Sequence, residues 1–227
     1  MDGITVVDLS QIYNGPYATY LMALNGATII KVEPPGGESL RRRGVVGGAA
    51  LPFAMLNGAK QCITLDLKSD EGKEALKGLV KDADVLVENF APGVMDRLGL
   101  GAEVLRAINP RLIYAASSGY GSDGPYRPYP AMDLTVQAMG GVMHTTGFPD
   151  RPPVKAGPAV ADFFAGIHFY GAITTALFER ERTGVARRLA PRAGPGHRLP
   201  GARPARLAAA EGDGRQHVGR RDLGPEP

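Results

Sequence analysis

The sequence predicts an α/β protein: a doubly wound, mainly parallel sheet with flanking helices. Three observations predict it. Short apolar, β-branched runs recur along residues 1–118. Helix-like stretches lie between consecutive runs. The chain of 227 residues, 44% of them apolar, is long enough for one domain with a real core.

Each element has its own reason. Residues 4–8 (ITVVD) are a β-branched apolar strand. The uncharged stretch 9–30 has the length of a membrane span, but Gln11, Asn14, Gly15, Pro16, Asn25 and Gly26 interrupt it. It reads instead as a loop, a helix over 17–24 and a strand over 28–32 (TIIKV). A short strand follows at 62–65. The helix over 71–81 carries Leu76, Leu79 and Val80 on one face, with Ser69 or Asp70 placed to cap it. Strands at 85–87 and 112–115 bracket short helices at 94–98 and 102–108. Two further helices are expected at 132–139 and 163–182. Strands alternating with helices in this way make a Rossmann-like sheet.

Charge divides the chain. The formal net charge is +3 and the isoelectric point about 9.0, which invites a nucleic-acid or membrane partner. The last 44 residues hold nine Arg, no Lys and four acidic residues, a local +5, so residues 1–183 carry −2. Ala, Gly, Pro and Arg fill 31 of those 44 positions. Such a segment cannot bury enough apolar surface to offset its chain entropy. The expected organisation is a body over residues 1–184 and a disordered tail over 185–227. GC-rich DNA read out of frame yields this composition, so a frameshift is the favoured origin, ahead of a native basic tail or an Arg-rich nucleic-acid arm. Neither nucleic acid nor membrane is expected as a partner. Lone Cys62 excludes an internal disulfide and a Cys-based zinc cluster. The start Met1-Asp2-Gly3 lacks the basic region of a leader. The expected location is cytoplasmic.

Nucleotide and hydrolase signatures are missing: there is no Gly-x-Gly-x-x-Gly after the first strand, no phosphate loop and no Gly-x-Ser-x-Gly. The four His residues have no metal spacing, and no metal is expected.

Four groups carry the candidate chemistry. Asp162 stands near the start of a long apolar helix. It is either an N-cap or an ionised, partly desolvated nucleophile, with small Ala161, Ala165 and Gly166 leaving room for a thioester. Asp133 and Gln137, four apart on one helix, face the same way, toward solvent or into a pocket. Asn89, Phe90 and Arg97 follow the strand at 85–87, where doubly wound sheets bind ligands. Phe90 is suited to stacking on a base and Arg97 to pairing with a phosphate. Lys31, Glu33 and Arg41 to Arg43 follow the second strand as a solvated surface or a site for a phosphorylated ligand, and Lys60 reads the same way.

Ten stretches, in order, resemble the class III CoA-transferase family, which includes formyl-CoA transferase and carnitine CoA-transferase. They are 3–10 (GITVVDLS), 15–17 (GPY), 26–37 (GATIIKVEPPGG), 65–68 (LDLK), 83–100 (ADVLVENFAPGVMDRLGL), 109–114 (NPRLIY), 118–125 (SGYGSDGP), 132–141 (MDLTVQAMGG), 159–166 (AVADFFAG) and 179–184 (ERERTG). The resemblance implies an enzyme that moves coenzyme A from an acyl-CoA to a carboxylic acid through an aspartyl-CoA thioester on Asp162. It implies that Asp133 stands where a family glutamate assists, that Tyr13 replaces a family glutamine, and that Asn89, Phe90 and Arg97 contact coenzyme A. Lys31, Glu33 and Lys60 join that binding set. The family is an interlocked homodimer. Its pattern past residue 184 gives way here to Val185-Ala186-Arg187-Arg188, so a truncated, inactive chain is expected. Two alternatives stand beside transfer: a non-catalytic CoA-binding remnant, and an α-methylacyl-CoA racemase-like isomerase, against which Met132 occupies the position of the racemase histidine.

Overall fold

The computed structural model describes residues 1–189. In chain order come β1 (Thr5–Asp8), α1 (Asn14–Leu24), β2 (Thr28–Glu33), a 3₁₀ turn (Ser39–Arg42), β3 (Val45–Val46), β4 (Ala49–Ala50) and α2 (Leu51–Asn57). Then follow β5 (Gln61–Thr64), α3 (Asp70–Lys81), β6 (Val85–Glu88), α4 (Val94–Arg97), α5 (Ala102–Ile108) and β7 (Ile113–Ala116). The described part closes with α6 (Asp133–Met139), a 3₁₀ turn (Met143–Thr145), α7 (Val160–Thr183) and β8 (Arg188–Leu189).

Six strands form one sheet in the order β5-β2-β1-β6-β7-β8. All of its pairings are parallel. The order reverses between β1 and β6, the switch point of a doubly wound sheet. Alternation along each strand supplies both faces. Val6, Val85, Val87, Ile113 and Ala115 pack under α1 and α7 with Met22, Phe169 and Ile173. Val7, Leu86, Leu112 and Tyr114 pack under α3 and α5 with Leu76, Val80 and Leu105. Ser69 caps α3 as expected, its Oγ accepting from Gly72 N at 3.0 Å. α7 is long and apolar enough to cross a membrane by length and composition. Here Phe169 and Ile173, fully buried, seat it in the sheet's core.

Three features depart from the sequence expectation, the first being α2 (Leu51–Asn57), where no helix was expected. The hairpin of β3 and β4 turns through Gly47 (φ 57°) and Gly48 (φ 82°), a two-residue turn that needs positive φ twice. Its strands are too short to leave a period in the sequence. The expected body boundary at Gly184 also falls too early. Gly184 ends α7 in the left-handed conformation (φ 71°). The chain then adds β8 beside β7, burying Ala186 and Leu189. Residues 185–189 therefore belong to the sheet, because two apolar side chains and an open strand edge suffice to extend it. The remainder of the expected tail, 190–227, lies outside the described residues.

Candidate active site

At the junction of α6 and α7, Asp162 is not the N-cap. That position is Ala159, which makes no side-chain cap. The capping acceptor comes from another helix. Asp133 Oδ1 accepts from Ala161 N at 2.9 Å and from Asp162 N at 3.4 Å. Asp133 Oδ2 accepts from Gln137 Nε2 at 2.6 Å, one helical turn on. Gln137 is fully buried and its Oε1 accepts from Ala156 N at 2.8 Å. So Asp133 and Gln137 form one bonded unit with the start of α7, and a solvent-facing pair is excluded. Asp162, half-buried, is pushed up to about 6 by burial first and by the Asp133 charge second. The partial desolvation expected of Asp162 is present, and the Asp133 charge, which the sequence did not place beside it, adds to the upward shift.

The small residues of α7 serve packing rather than a ligand. Gly166 lies against α1, where an added Cβ would sit 2.8 Å from Asn14 O and 3.0 Å from Tyr17 Cδ1. Ala165 is buried. At Gly166, one of the three small residues expected to leave room for a thioester, α1 occupies the space.

A cavity of about 720 Å³ opens beside this first turn, lined among others by Tyr13, Met55, Asp133, Lys155 and Phe163. The Phe163 ring meets Tyr17 edge-on at 5.0 Å and Tyr13 at 5.7 Å. Ile12, just before Tyr13, has φ 66°. A β-branched residue in the left-handed region is strained, and Glu38 Oε1 holds it by accepting from Ile12 N at 2.7 Å.

At the carboxyl ends of β1 and β6 the sheet's switch point is bridged by Asn89. Its Oδ1 accepts from Gln11 N, and its Nδ2 donates to Gln11 O, both at 2.8 Å. Half-buried Phe90 stands between two cavities, of about 510 and 740 Å³, that share Phe90, Pro92, Ser118 and Arg127. Arg97 is exposed at the end of α4, one turn from Gly93 and close enough to it that a Cβ there would approach its Nη1 to 3.2 Å. The structure thus brings Asn89, Phe90 and Arg97 to one loop-helix corner.

Lys31, Glu33 and Lys60 lie elsewhere, and here the surface expectation is corrected. Lys60 Nζ is fully buried, 2.9 Å from Asp8 Oδ2, and also donates to Thr19 Oγ1 at 2.7 Å. Lys31 Nζ donates to Ser10 O at 2.7 Å and faces Glu38 at 3.3 Å. Glu33 holds Arg41 through two 2.6 Å contacts, and Arg41 lies over the Phe53 ring at 3.8 Å. Burial alone would raise Asp8, yet Lys60, Lys31 and the hydroxyls of Ser10 and Thr19 hold it well below the usual carboxylate range. Charges so engaged and excluded from water complete a polar core and are not free to meet a phosphate.

Two site groups escaped sequence reasoning. Glu88, at the carboxyl end of β6, is pushed up to about 7 by burial, against hydrogen bonds from Phe90 N and the Tyr114 hydroxyl. The signal was present in the sequence: a carboxylate closing the apolar run Val85-Leu86-Val87. Asn14 donates to Ser117 Oγ at 3.0 Å, while its buried Oδ1 has no hydrogen-bond partner among the described residues.

Comparison with known proteins follows this geometry. The model of CoA-transferase family III matches residues 1–191. An acetyl-CoA:oxalate CoA-transferase of Acetobacter aceti is 48% identical over 186 residues, 81% of this chain and 48% of that protein. A formyl-CoA:oxalate CoA-transferase of Streptomyces avermitilis is 44% identical over 191 residues, 83% and 46% of the two chains. The crystal structure of a CAIB/BAIF family protein from Brucella suis superposes with a TM-score of 0.82 at 42% identity, over 85% of this chain and 52% of that one. The chain spans about half the length of the curated relatives it matches.

Proposed function

This chain belongs to CoA-transferase family III, and from that premise we propose that it carries the nucleophile and coenzyme A contacts of an acyl-CoA:carboxylate CoA-transferase. The observation that carries the reading is the Asp162–Asp133–Gln137 unit, a half-buried carboxylate on the first turn of a helix ordered by a second carboxylate. With its pKa near 6, Asp162 is mostly ionised at neutral pH and weakly solvated, which suits a nucleophile.

In the proposed reaction, an Asp162 oxygen attacks the thioester carbonyl carbon. The C–S bond breaks, leaving a mixed anhydride and the CoA thiolate. The thiolate attacks the Asp162 carbonyl and releases the first acid, giving the aspartyl-CoA thioester. The acceptor carboxylate attacks that thioester to form a second anhydride and free the thiolate again. Attack of the thiolate on the acceptor's acyl carbon yields the new acyl-CoA and restores Asp162. Each step forms one bond to an acyl carbon and breaks another, and needs no external oxidant or base. The names of the two relatives favour acetyl-CoA or formyl-CoA as donor and oxalate as acceptor.

Coenzyme A fits the corner at Asn89, Phe90 and Arg97. A cavity of about 740 Å³ adjoins the half-buried ring, the exposed Arg97 lies near Gly93 of the neighbouring cavity, and the Asn14 acceptor without a partner among the described residues lies beside Ser117 of that cavity. In this reading Phe90 stacks on the base and Arg97 pairs with a phosphate. The buried pairs of Lys31, Glu33 and Lys60 support a structural part for them.

A second reading, coenzyme A binding without turnover, is favoured by exposed apolar side chains around the site: Met132, Leu134, Phe148, Phe164 and Ile167. We propose that a second copy of the family's homodimer covers them. One experiment separates the readings: the chain is incubated with acetyl-CoA, and the peptide containing Asp162 is examined by mass spectrometry. A CoA adduct on Asp162, absent from Asp162→Asn, is the expected result. Coenzyme A binding without an adduct selects the second reading.

A further inference from the structure

We propose that Lys155 reads the acceptor acid, selecting short dicarboxylates by pairing with the carboxylate that does not react; this rests on the reading of Asp162 as nucleophile. The cavity of about 720 Å³ beside α7 is walled mainly by apolar groups such as Leu51, Pro52, Met55 and Phe163. Among the described residues lining it, Asp133 and Lys155 are the charged ones. They differ in what they already hold. Asp133 accepts three hydrogen bonds, from Ala161 N, Asp162 N and Gln137 Nε2. Lys155 Nζ meets only two carbonyls of its own loop, Ala156 O at 3.4 Å and Gly157 O at 3.3 Å, both near the limit of a hydrogen bond. No ion pair within 4.0 Å neutralises it among the described residues.

The loop that carries this ammonium is tied to the site. Ala156, the next residue, donates its N–H to Gln137 Oε1 at 2.8 Å, and Gln137 Nε2 donates in turn to Asp133 Oδ2 at 2.6 Å. Buried Gln137 therefore sets the Lys155 backbone and the Asp133 carboxylate together. Electrostatics supplies the need. Lys155 is exposed at the mouth of this cavity, and an acceptor anion approaching Asp162 meets the repulsion of that carboxylate and of Asp133 behind it. A monocarboxylate commits its only carboxylate to the acyl centre. A short dicarboxylate has a second one to offset the repulsion at Lys155.

The test is isothermal titration of the full chain with malonate and oxalate, and with propionate as the monocarboxylate, in native, Lys155→Ala, Lys155→Arg and Asp162→Asn forms. The native chain should bind the dicarboxylates more tightly than propionate. Lys155→Ala should weaken dicarboxylate binding by about tenfold to a hundredfold, as loss of a charge-assisted hydrogen bond does, and leave propionate unchanged. Lys155→Arg should restore most of the loss. Equal dicarboxylate binding by native chain and Lys155→Ala, no preference over propionate, or no dicarboxylate binding by the native chain would each overturn the proposal. Asp162→Asn should bind dicarboxylates at least as tightly, since a repelling charge is gone. A missing adduct on Asp162 alongside intact Lys155 dependence removes the nucleophile reading alone.

Discussion

The Asp133 carboxylate sits over the first turn of α7, with Oδ1 3.4 Å from the backbone nitrogen of Asp162. One side chain therefore caps the helix and raises the proton affinity of the carboxylate beside it. These two effects separate in Asp133→Asn, whose oxygen still accepts the backbone bonds but carries no charge. The Asp162 titration, followed by carboxyl-carbon NMR, should have a midpoint near 6 in the native chain. It should move down in the variant, because a like charge favours the protonated form and is now gone. An unchanged or higher midpoint would show that Asp133 acts only as a cap.

Lys60 and Asp8 are both fully buried, and removing Lys60 takes away the cation in direct contact with Asp8, leaving it to the Ser10 and Thr19 hydroxyls and the charge of Lys31. Lys60→Met should cost about 3–5 kcal/mol of unfolding free energy, read from urea denaturation. Lys77→Ala on the surface of α3, which breaks only an exposed pair with Glu74, should change stability by less than about 1 kcal/mol. Similar losses for both would refute the internal role assigned to Lys60.

Glu88 gives stability a defined pH dependence. Its folded pKa of about 7 lies above the ordinary 4.5, so the folded state binds the extra proton. Its contribution is fully present below 4.5 and is lost as pH rises through about 7. Glu88→Gln, which keeps an acceptor for Phe90 N, should remove this decline. Thermal melts between those two values that fall equally in both proteins would assign the dependence elsewhere.

Gly166 is where α7 crosses α1. A methyl group there would meet Asn14 O at 2.8 Å, so Gly166→Ala should lose about 1–3 kcal/mol through overpacking despite the better helix propensity of alanine. Gly78→Ala in α3, where an added Cβ meets nothing within 4 Å, should be neutral or stabilising. The difference between their denaturation midpoints measures the helix contact.

The candidate site was legible in the sequence where its geometry is local. Asp133 and Gln137 are four residues apart on a helix, so their shared face follows from the helical repeat, and the bond at 2.6 Å realises it. Asn89 and Phe90 follow a strand end, where ligands gather. Lys60 and Lys31 were read as a solvated surface or a phosphate site because the chain around an isolated lysine carries no sign of a distant buried partner. That partner, Asp8, is 52 residues from Lys60. The like charge beside Asp162 was not legible for a similar reason, since Asp133 arrives from α6.

By itself the sequence determined the alternation of strands and helices, the end of α7 to within a residue, the Ser69 cap and the family resemblance. All of these depend on neighbours within a few residues or on residue identity. Tertiary structure alone decided the strand order that puts β1 beside β6, the addition of β8, the burial of Asp8 with Lys60, and the joining of Asn89 to Gln11 across 78 residues. Those outcomes depend on which surfaces exclude water together and which charges then must pair. Periodicity marks the apolar faces, but only the assembled sheet brings distant polar groups within hydrogen-bonding range.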